Sequence, residues 1–256
     1  MDSKQPSAPF LSLVVPAYNE AKRIERSVQD LQSFLRTLPK NTEIILVIEK
    51  SSDGTAEIAK RITKDLPNFR VIANDVHLGK GFAVKTGMLQ SQGEIVFFMD
   101  LDLSTPLVEI FNFLAHFEAH PAADVVIGSR QHAKSQILKR QHPVRQRMGH
   151  VFNLFVRAFA LSGIEDTQCG FKAFRKKTVK PLFSLQKTHG FSFDVEILLL
   201  AQTLGFKTDI LPVKWINAAD SKVRIVQDSF KMFFDLLKIK KLVKSSLKEA
   251  PSSQRK

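Results

Sequence analysis

Two aspartates two residues apart, Asp100 and Asp102, follow a short apolar run, Ile95–Met99. The run predicts a fully buried strand, and Thr105-Pro106 indicates a helix start soon after it. Ligands of open α/β sheets bind at the carboxyl ends of the strands. Two carboxylates there repel each other unless a cation lies between them, and a hard divalent ion that also holds phosphate oxygens fits that need. Alternatively, one Asp caps the next helix and the other is solvated.

Further polar residues follow the first predicted strand, Leu11–Ala17. Pro16 removes a backbone donor and is expected to stop the ladder of hydrogen bonds, which exposes Tyr18 and Glu20 at the sheet edge. These residues could form a nucleoside site, with an aromatic wall for the base and Glu20 for a ribose hydroxyl. A plain strand-to-helix turn, with Glu20 favourable to the helix dipole, explains them equally simply.

Two more loops carry charged groups toward the same edge. Glu49 follows the second predicted strand, where its carboxylate could accept from a base N–H, while Asp53 and Thr55 are interpreted as caps of the next helix. In His77-Leu-Gly-Lys80-Gly, the glycines let the backbone approach a phosphate and Lys80 supplies a point charge. The spacing is not that of a Walker loop, and a tight turn is the alternative.

The second half of the chain carries two further loops of interest. Asp166 and Gln168 could orient an acceptor, while Cys169 is interpreted as a packed residue because no His partner for a nucleophile is identifiable. Lys222 and Arg224 could close over a diphosphate, although a solvated basic surface is an equally good interpretation.

Composition limits the choice of partners and compartment. Lys and Arg outnumber Asp and Glu by 38 to 25, a formal charge of +13, which indicates anionic partners such as nucleotide phosphates, an acidic membrane surface or nucleic acid. The single cysteine excludes an internal disulfide and suits a reducing compartment. The N-terminus shows no signal peptide, and no stretch approaches the roughly 18 apolar residues of a membrane span. We therefore expect a protein that is soluble or lies on a membrane.

Strands and helices alternate along the chain, which predicts an α/β fold with a mostly parallel sheet covered on both faces. We expect one domain over residues 10–243, with a nucleotide half to about 130, an acceptor half after it, and disordered tails at 1–9 and 244–256. The predicted strands are Leu11–Ala17, Ile44–Ile48, Arg70–Ala73, Ile95–Met99, Asp124–Ile127 and Thr208–Trp215. The predicted helices are Ala21–Leu38, Thr55–Lys64, Lys80–Gln90, Leu107–Ala119, Val151–Leu161, Phe193–Leu204 and Gln227–Val243.

Two of these helices are amphipathic with basic neighbours. In the last helix, Lys residues crowd the positions around one apolar face, which is the pattern of an interfacial helix. That face is formed by Phe230, Phe233, Phe234 and Leu237. Val151–Leu161 is a second candidate, and packing on the sheet is the alternative for each helix. Two such helices in a chain of charge +13 favour an anionic membrane surface.

Taken together, the motifs resemble glycosyltransferase family 2, and within it the dolichyl-phosphate β-glucosyltransferases and related polyprenyl-phosphate glycosyltransferases. The likeness runs from about Leu11 to Lys240, and the ordered set is far more specific than the Asp-x-Asp pair. The matching segments are Val-Pro-Ala-Tyr-Asn-Glu (15–20), Leu-Gly-Lys-Gly (78–81), Phe-Met-Asp-Leu-Asp-Leu-Ser-Thr-Pro (98–106), Ile-Gly-Ser-Arg (127–130), Asp-Thr-Gln-Cys-Gly-Phe-Lys (166–172), Phe-Asp-Val-Glu (193–196) and Ser-Lys-Val (221–223).

The resemblance implies a GT-A fold, Rossmann-like, and an inverting transfer of a hexose, glucose by likeness, from a nucleotide sugar such as UDP-glucose to a polyprenyl or dolichyl phosphate. It implies Mg²⁺ or Mn²⁺ on Asp100 and Asp102. From the charge and the amphipathic helices we expect a peripheral position on the cytoplasmic face of the membrane. The resemblance places Pro16, Tyr18, Glu20, Glu49, Lys80, Asp100 and Lys222 at the nucleotide sugar. It places Asp166 and Gln168 beside the reacting groups, and Arg130, with Arg145 and Arg147 as further candidates, at the acceptor phosphate.

One segment departs from the family. Where the family usually reads Val-Asp-Asp-Gly-Ser, this chain reads Ile48-Glu49-Lys50-Ser51-Ser52, which leaves the choice between uridine and guanosine open. Eukaryotic members also carry an N-terminal membrane anchor, which we do not find in this sequence.

Three other functions were weighed against transfer. An aspartyl-nucleophile phosphatase also has Asp-x-Asp after an apolar strand, but there the motif normally opens the sheet, and no Gly-Asp dipeptide exists in this chain. A degenerate member that binds nucleotide or lipid without turnover is supported only by the altered segment. Nucleic-acid binding explains the charge alone, without an aromatic-interleaved basic platform. The oligomeric state is open.

Overall fold

The computed structural model describes residues 8–38, 41–139, 155–156, 161, 163–217 and 225–249, except for the side chains of 225–231. Within this part of the chain, a seven-stranded sheet forms the centre of the molecule, and two further strands pair beside it. The strands are β1 (Leu11–Ala17), β2 (Thr42–Ile48), β3 (Phe69–Ala73), β4 (Ile95–Met99), β5 (Val125–Ser129), β6 (Gln136–Lys139), β7 (Phe171–Arg175), β8 (Thr208–Pro212) and β9 (Lys214–Ile216).

The strand order of the main sheet is β3-β2-β1-β4-β7-β5-β8. All its pairs are parallel except those of β7, which runs antiparallel to both β4 and β5. Because Met99 pairs with Phe171, the segment that enters β7 lies at the same edge as the carboxyl end of β4. The predicted mostly parallel α/β sheet is confirmed.

Helices cover both faces of this sheet, as predicted. They are α1 (Ile24–Leu35), α2 (Thr55–Thr63), α3 (Lys80–Gln90), α4 (Glu109–Ala119), α5 (Lys176–Leu185), α6 (Phe193–Thr203) and α7 (Ile225–Glu249). Alternate residues of each strand point to opposite faces, and this period divides the apolar core in two. Leu13 of β1 joins one core with residues of α1, α2 and α4, whereas Val14 joins the other with residues of α3, α5, α6 and α7.

Besides β6, which lies in a segment expected to be a loop, two elements of the second half were not predicted. One is β7, which does not show the continuous apolar run of a buried strand, because the buried Lys172 interrupts its apolar residues. The other is α5, which carries Pro181 inside it. The predicted strand Thr208–Trp215 is also wrong as a single element: β8 pairs with β5 in the main sheet, whereas β9 pairs with β6 in the small one.

The ends of several helices differ from the prediction. Helix α1 is shorter than expected at both ends. Helix α7 continues to Glu249, through residues that were assigned to a disordered tail. Lys187 Nζ lies 2.7 Å from Glu249 Oε2 and holds this end of the helix on the domain. The predicted tails at residues 1–7 and 250–256 lie outside the described residues, as does most of the predicted helix Val151–Leu161.

In α7, the inward face is Leu236, Ile239 and Val243, all buried in the core. Phe234 and Leu237 are 57% and 54% exposed, so part of the predicted apolar face points to solvent. Among the helices described, none combines the length and apolar character needed to cross a membrane.

Candidate active site

The carboxyl ends of three neighbouring strands, β2, β1 and β4, meet at one edge of the sheet. Glu49 follows β2, Tyr18 and Glu20 follow β1, and the two aspartates follow β4. In a parallel sheet this shared edge is where ligands bind. The fold therefore brings the residues predicted for the nucleotide half to one edge.

Asp100 is paired with a lysine from the neighbouring loop. Lys80 Nζ lies 2.6 Å from Asp100 Oδ1, and the side chains are 18% and 38% exposed. Burial disfavours the Lys80 ammonium, but the attraction of Asp100 and Asp194 outweighs it and holds the pKa of Lys80 above its ordinary value. Lys80 is therefore a fixed positive charge beside Asp100. Its side chain could also reach a diphosphate placed at the aspartates.

Asp102 lies in a tight turn beside Asp100. Its Oδ1 accepts from the backbone N–H of Ser104 at 2.9 Å, and Leu103 between them has a left-handed φ of 51°. Burial, and then the like charge of Asp100, raise the pKa of Asp102. The turn thus holds a carboxylate in a position where a positive charge would stabilise its ionised form.

These two carboxylates fit a divalent cation whose coordination a substrate completes. Among the described residues, no three His, Cys, Asp or Glu side chains are gathered into a metal-binding group. Mg²⁺, however, is commonly bound by one or two carboxylates together with substrate phosphates and water. Burial and the negative charge of Asp100 raise the pKa of Asp102, and a bound cation would offset both effects.

Close packing against Gly170 fixes the Asp100 carboxylate. A Cβ added at Gly170 would lie 2.0 Å from Asp100 Oδ2, which is far closer than any side chain can come. The Asp100 amide also donates to the Gly170 carbonyl at 3.2 Å. The absence of a side chain at this position is therefore a requirement of the site. No role was predicted for Gly170, although the glycine stands inside the motif Asp-Thr-Gln-Cys-Gly-Phe-Lys (166–172).

Asp166 holds Arg130 by three hydrogen bonds. The backbone N–H, Nε and Nη2 of Arg130 each donate to Asp166 at 2.8 Å, and the aspartate is fully buried. Burial alone would raise the pKa of Asp166, but the Arg130 guanidinium outweighs it and holds that pKa below its ordinary value. The same ion pair raises the pKa of Arg130 against the effect of burial. A carboxylate in this state orients Arg130 and is poorly suited to take up a proton.

The neighbouring residues of this loop are also buried. Gln168 Nε2 is buried and, within the described part of the chain, donates to no partner, so a ligand oxygen would satisfy it. Cys169 is fully buried, and burial raises the pKa of its thiol to about 12. This agrees with the interpretation of Cys169 as a packed residue.

A buried ion pair lies beneath the site and was not predicted. Lys172 Nζ donates to Asp194 Oδ1 and, at 2.7 Å, to the Cys169 carbonyl, while the two charged side chains are 0% and 3% exposed. The pair therefore ties the loop 166–170 to α6. The motif Phe-Asp-Val-Glu (193–196), which contains Asp194, was the available signal, but nothing in the sequence pairs it with Lys172.

Glu49 does not point into open space. Its side chain is 2% exposed, and the segment Asn74–Gly79, called loop 74–79 below, donates to both of its oxygens. Both carboxylate oxygens of Glu49 are therefore bonded to this loop. The predicted contact with a base N–H stays a prediction.

The segment after β1 is a turn held by the loop that follows β2 and by the start of α2. Tyr18 stacks on His77 with ring centroids 3.8 Å apart and planes within 8°. The Glu20 amide donates to Thr55 Oγ1 at 2.8 Å, and Glu20 Oε2 lies 2.7 Å from Arg23 Nε. The aromatic wall predicted at Tyr18 is therefore a two-ring stack, whereas the predicted ribose contact of Glu20 stays untested.

Two expectations for the ends of β1 and β2 can be compared directly with the structure. Pro16 does not stop the ladder of hydrogen bonds, because β1 pairs with β2 as far as Ala17. The pairing of β1 with β4 already ends at Val14, so the missing N–H of Pro16 interrupts no hydrogen bond to β4. Asp53 accepts from the backbone of Thr55 at 3.1 Å and of Ala21 at 3.0 Å. Asp53 thus serves the structure of the turns, but the predicted caps are wrong: Gly54 is the N-cap of α2, without a side-chain cap hydrogen bond, and Thr55 is the first residue of the helix. The pKa of Asp53 lies below the ordinary value, because these hydrogen bonds outweigh its burial.

Several predicted site residues lie outside the described residues. They are Arg145, Arg147, Lys222 and Arg224. Their proposed contacts with phosphate remain predictions.

Comparison with known proteins supports the resemblance found in the sequence. The model of the family described as "Glycosyl transferase family 2" matches residues 12–183. A dolichyl-phosphate beta-glucosyltransferase of Trichomonas vaginalis, ALG5C, is 34% identical over 91% of this chain and 72% of its own length. The enzymes of that name from Saccharomyces cerevisiae and Homo sapiens are 31% and 30% identical, each over 90% of this chain and 74% of their own.

Solved structures share the fold at lower identity. Glucosyl-3-phosphoglycerate synthase from Mycobacterium tuberculosis, in complex with Mn²⁺, uridine diphosphate and phosphoglyceric acid, superposes with a TM-score of 0.65 at 19% identity, over 92% of this chain and 78% of that chain. Mannosyl-3-phosphoglycerate synthase from Rubrobacter xylanophilus gives 0.65 at 17% identity, over 94% and 74%. The predicted GT-A fold is thereby confirmed.

Proposed function

This chain belongs to glycosyl transferase family 2, and from that premise we propose that it transfers glucose from UDP-glucose to a dolichyl or related polyprenyl phosphate. The names of the relatives that match most of its length support the sugar and the acceptor. The charge environment of the site supports the chemistry, because the Lys80 ammonium, and a divalent cation held by the paired carboxylates, would stabilise the charge of a diphosphate leaving group.

On the donor side, Lys80 and the two aspartates would hold the diphosphate. Asp100 and Asp102 fit Mg²⁺ or Mn²⁺, which when bound would supply Lewis-acid stabilisation of the departing diphosphate. Lys80, fixed on Asp100, contributes positive charge at the same place. Tyr18, in its stack on His77, offers a flat apolar wall to the base. Lys222 and Arg224 are proposed to add charge from the loop that precedes α7.

On the acceptor side, Arg130 would bind the lipid phosphate. Asp166 leaves part of the guanidinium fork free, and the Arg130 side chain is 26% exposed. Gln168 offers a buried amide donor without a partner in the described residues. Arg145 and Arg147 are proposed as further phosphate ligands. Together these groups would orient one phosphate oxygen toward the anomeric carbon of the sugar.

The reaction itself needs no strong base. A phosphate monoester has a second pKa near about 6, so at neutral pH the acceptor is already largely dianionic. Its oxygen forms the new bond to the anomeric carbon, while the bond from that carbon to the diphosphate oxygen breaks and UDP leaves with the electron pair. The lowered pKa of Asp166 supports an orienting role rather than that of a base.

We place the reaction at an anionic membrane surface, on the cytoplasmic face, with the protein bound peripherally. Phe234 and Leu237 present exposed apolar side chains on α7. Exposed lysines flank them: Lys238, Lys240, Lys241, Lys244 and Lys248. Basic residues near anionic lipid contribute roughly 1 kcal/mol each to binding. The same surface would bring the site to a lipid acceptor.

The observation that carries this function is the Lys80–Asp100–Asp102 cluster at the sheet edge of a chain that aligns along most of its length with dolichyl-phosphate glucosyltransferases. The test is product formation by the purified chain with dolichyl phosphate and a panel of UDP- and GDP-sugars, with and without Mn²⁺. We expect a glucosylated lipid phosphate with UDP-glucose. Donor binding without product would support the non-catalytic alternative, and hydrolysis of a generic phosphate ester would support the phosphatase.

A further inference from the structure

Glu49 is the most extensively bonded buried carboxylate at the site edge. Oε2 accepts from the backbone N–H of Leu78 at 2.8 Å and of Gly79 at 2.9 Å, and lies 3.0 Å from His77 Nδ1. Oε1 accepts from Asn74 Nδ2 at 2.9 Å. A buried carboxylate with this many donors is a strong anchor, since each charge-assisted hydrogen bond exceeds a neutral one in strength. Loop 74–79 is therefore fastened to the end of β2.

The anchored loop leads directly to the cation of the site. Gly79 has φ of 120°, and a Cβ there would lie 2.8 Å from the His189 carbonyl, so its backbone has little freedom. Lys80 follows as the first residue of α3 and reaches Asp100. Displacement of the Gly79 amide would move Lys80 with it.

The same anchor orients the aromatic wall. His77 contacts Glu49 through Nδ1 and stacks on Tyr18 through its ring face. His77 is 44% exposed, so little other than these two contacts holds its ring in the described structure. Glu49 thus supports the two groups proposed to bind the donor: the Tyr18–His77 stack, through His77, and Lys80, through the backbone of Gly79.

We propose that Glu49 is a positioning residue that acts on the donor through loop 74–79, and not by contact with the base. The additional methylene of Glu, about 1.5 Å longer than the Asp usual in this family, lets the carboxylate reach the amides of Leu78 and Gly79. Base recognition then falls to groups other than this carboxylate. The inference rests on the proposed donor reaction, but the anchor itself is testable without turnover.

The first test measures the anchor by hydrogen exchange. In the Glu49→Gln variant, one oxygen acceptor becomes an amide donor, so we expect the amides of Leu78 and Gly79 to exchange at least about tenfold faster. The matched control is Glu43→Gln, within β2, the strand that Glu49 follows. Glu43 accepts from Ser12 Oγ at 2.6 Å and Gln92 N at 2.7 Å, at the opposite end of the sheet. The control should leave Leu78 and Gly79 unchanged, and unchanged exchange in Glu49→Gln would overturn the proposal.

The second test separates positioning from a general structural effect. We expect Glu49→Gln to raise the KM for UDP-glucose about tenfold while the KM for the lipid phosphate stays constant. Glu49→Asp should be no better than Glu49→Gln, because it withdraws the carboxylate from the loop. In a double-mutant cycle with Lys80→Ala, the two losses should be non-additive, because both act through the same ammonium. Full additivity, or equal changes of both KM values, would contradict a role through Lys80.

The third test uses a donor whose base N–H is blocked, N3-methyl-UDP-glucose. If Glu49 acts on the loop, wild type and Glu49→Gln discriminate against this analogue by the same factor. Loss of discrimination in Glu49→Gln alone would overturn the proposal in favour of direct base contact. If wild type makes no product at all, the proposed function fails, and hydrogen exchange together with UDP binding still decides the role of Glu49.

Discussion

Gly170 leaves room for a hydrogen atom beside Asp100 and for nothing larger. The structure places a hypothetical Cβ at this position 2.0 Å from Asp100 Oδ2. The carboxylate would have to swing away, and with it the ion pair to Lys80 at 2.6 Å would be lost. This residue therefore sets the position of the Asp100 carboxylate.

We expect Gly170→Ala to lower kcat/KM at least about 100-fold, because misplacement of a site group by about an ångström costs that much. Its thermal unfolding should change far less. Gly190→Ala is the matched control, since an added Cβ there meets no atom within 4 Å. Steady-state kinetics of both variants check this, and near-normal activity of Gly170→Ala would show that Asp100 is not needed where the structure places it.

Asp102 is predicted to serve function at the expense of stability. Burial, and then Asp100, raise its pKa, so in the folded state it holds its proton to higher pH than in the unfolded state. Stability from this group therefore falls as pH rises through the raised pKa, and at neutral pH its ionisation is a cost. We expect Asp102→Asn to increase the free energy of unfolding at pH 7 by about 0.5–1 kcal/mol.

That gain should shrink as the pH falls through the raised pKa and vanish well below about 4, where Asp102 is protonated in the unfolded state as well. Urea unfolding across this pH range measures it. Mn²⁺ should raise the melting temperature of wild type and not of Asp102→Asn, if the cation binds here. An Asn variant that is less stable than wild type at pH 7 would contradict the electrostatic account.

Among the elements, β7 and α6 are joined by the buried pair Lys172–Asp194. Burial raises the pKa of Asp194 despite the attraction of Lys172 and Lys80, so this pair is maintained under electrostatic strain. Removal of one partner leaves the other charge buried alone. We expect Lys172→Met to cost about 3–5 kcal/mol of stability.

The double variant Lys172→Met with Asp194→Leu should recover much of that stability, because it buries apolar groups in place of charges. Activity should stay low, since the Cys169 carbonyl loses its ammonium donor and the loop 166–170 is released. Chemical denaturation and kinetics on the same samples test this. If the double variant has both full stability and full activity, the Lys172–Asp194 pair is not needed to hold the loop 166–170 for activity.

The first half of the fold was predictable because its signals are local. The strand Ile95–Met99 is a continuous apolar run, and α1 repeats its apolar residues by four and three. The continuous run reflects a strand buried on both faces, and the spacing by four and three reflects a helix buried on one face. The site residues that follow these strands in the chain could therefore be named from the sequence.

The rest could not be predicted because it depends on contacts between distant segments. β7 runs antiparallel between β4 and β5, and this pairing puts Gly170 against Asp100. Similarly, Asp166 and Arg130 are separated by 36 positions and meet only because the ends of β5 and β7 share an edge. Local patterns carry no information on either contact.

At the scale of the whole molecule, the proposed contact with anionic lipid rests on the charge of +13 and on the exposed apolar residues of α7. We expect the double variant Phe234→Ser with Leu237→Ser to bind vesicles of anionic phospholipid about 10–100-fold more weakly, because two apolar side chains no longer enter the interface. Both residues are more than half exposed, so the melting temperature should not fall.

The matched control is Leu89→Ser near the end of α3, an apolar residue that is 41% exposed on another helix. Its vesicle binding should equal that of wild type in a sedimentation assay. Wild-type binding should also weaken with salt, since exposed charges are screened over about 10 Å at 0.1 M. Equal binding by all three proteins would place the membrane contact elsewhere.

The most direct test of the central claim is the transfer of labelled glucose from UDP-glucose to dolichyl phosphate by wild type, Asp102→Ala and Asp65→Ala, the last an exposed aspartate remote from the site. The account predicts lipid-linked glucose with wild type and with Asp65→Ala, and a loss of at least about 100-fold with Asp102→Ala. Undiminished transfer by Asp102→Ala would contradict it.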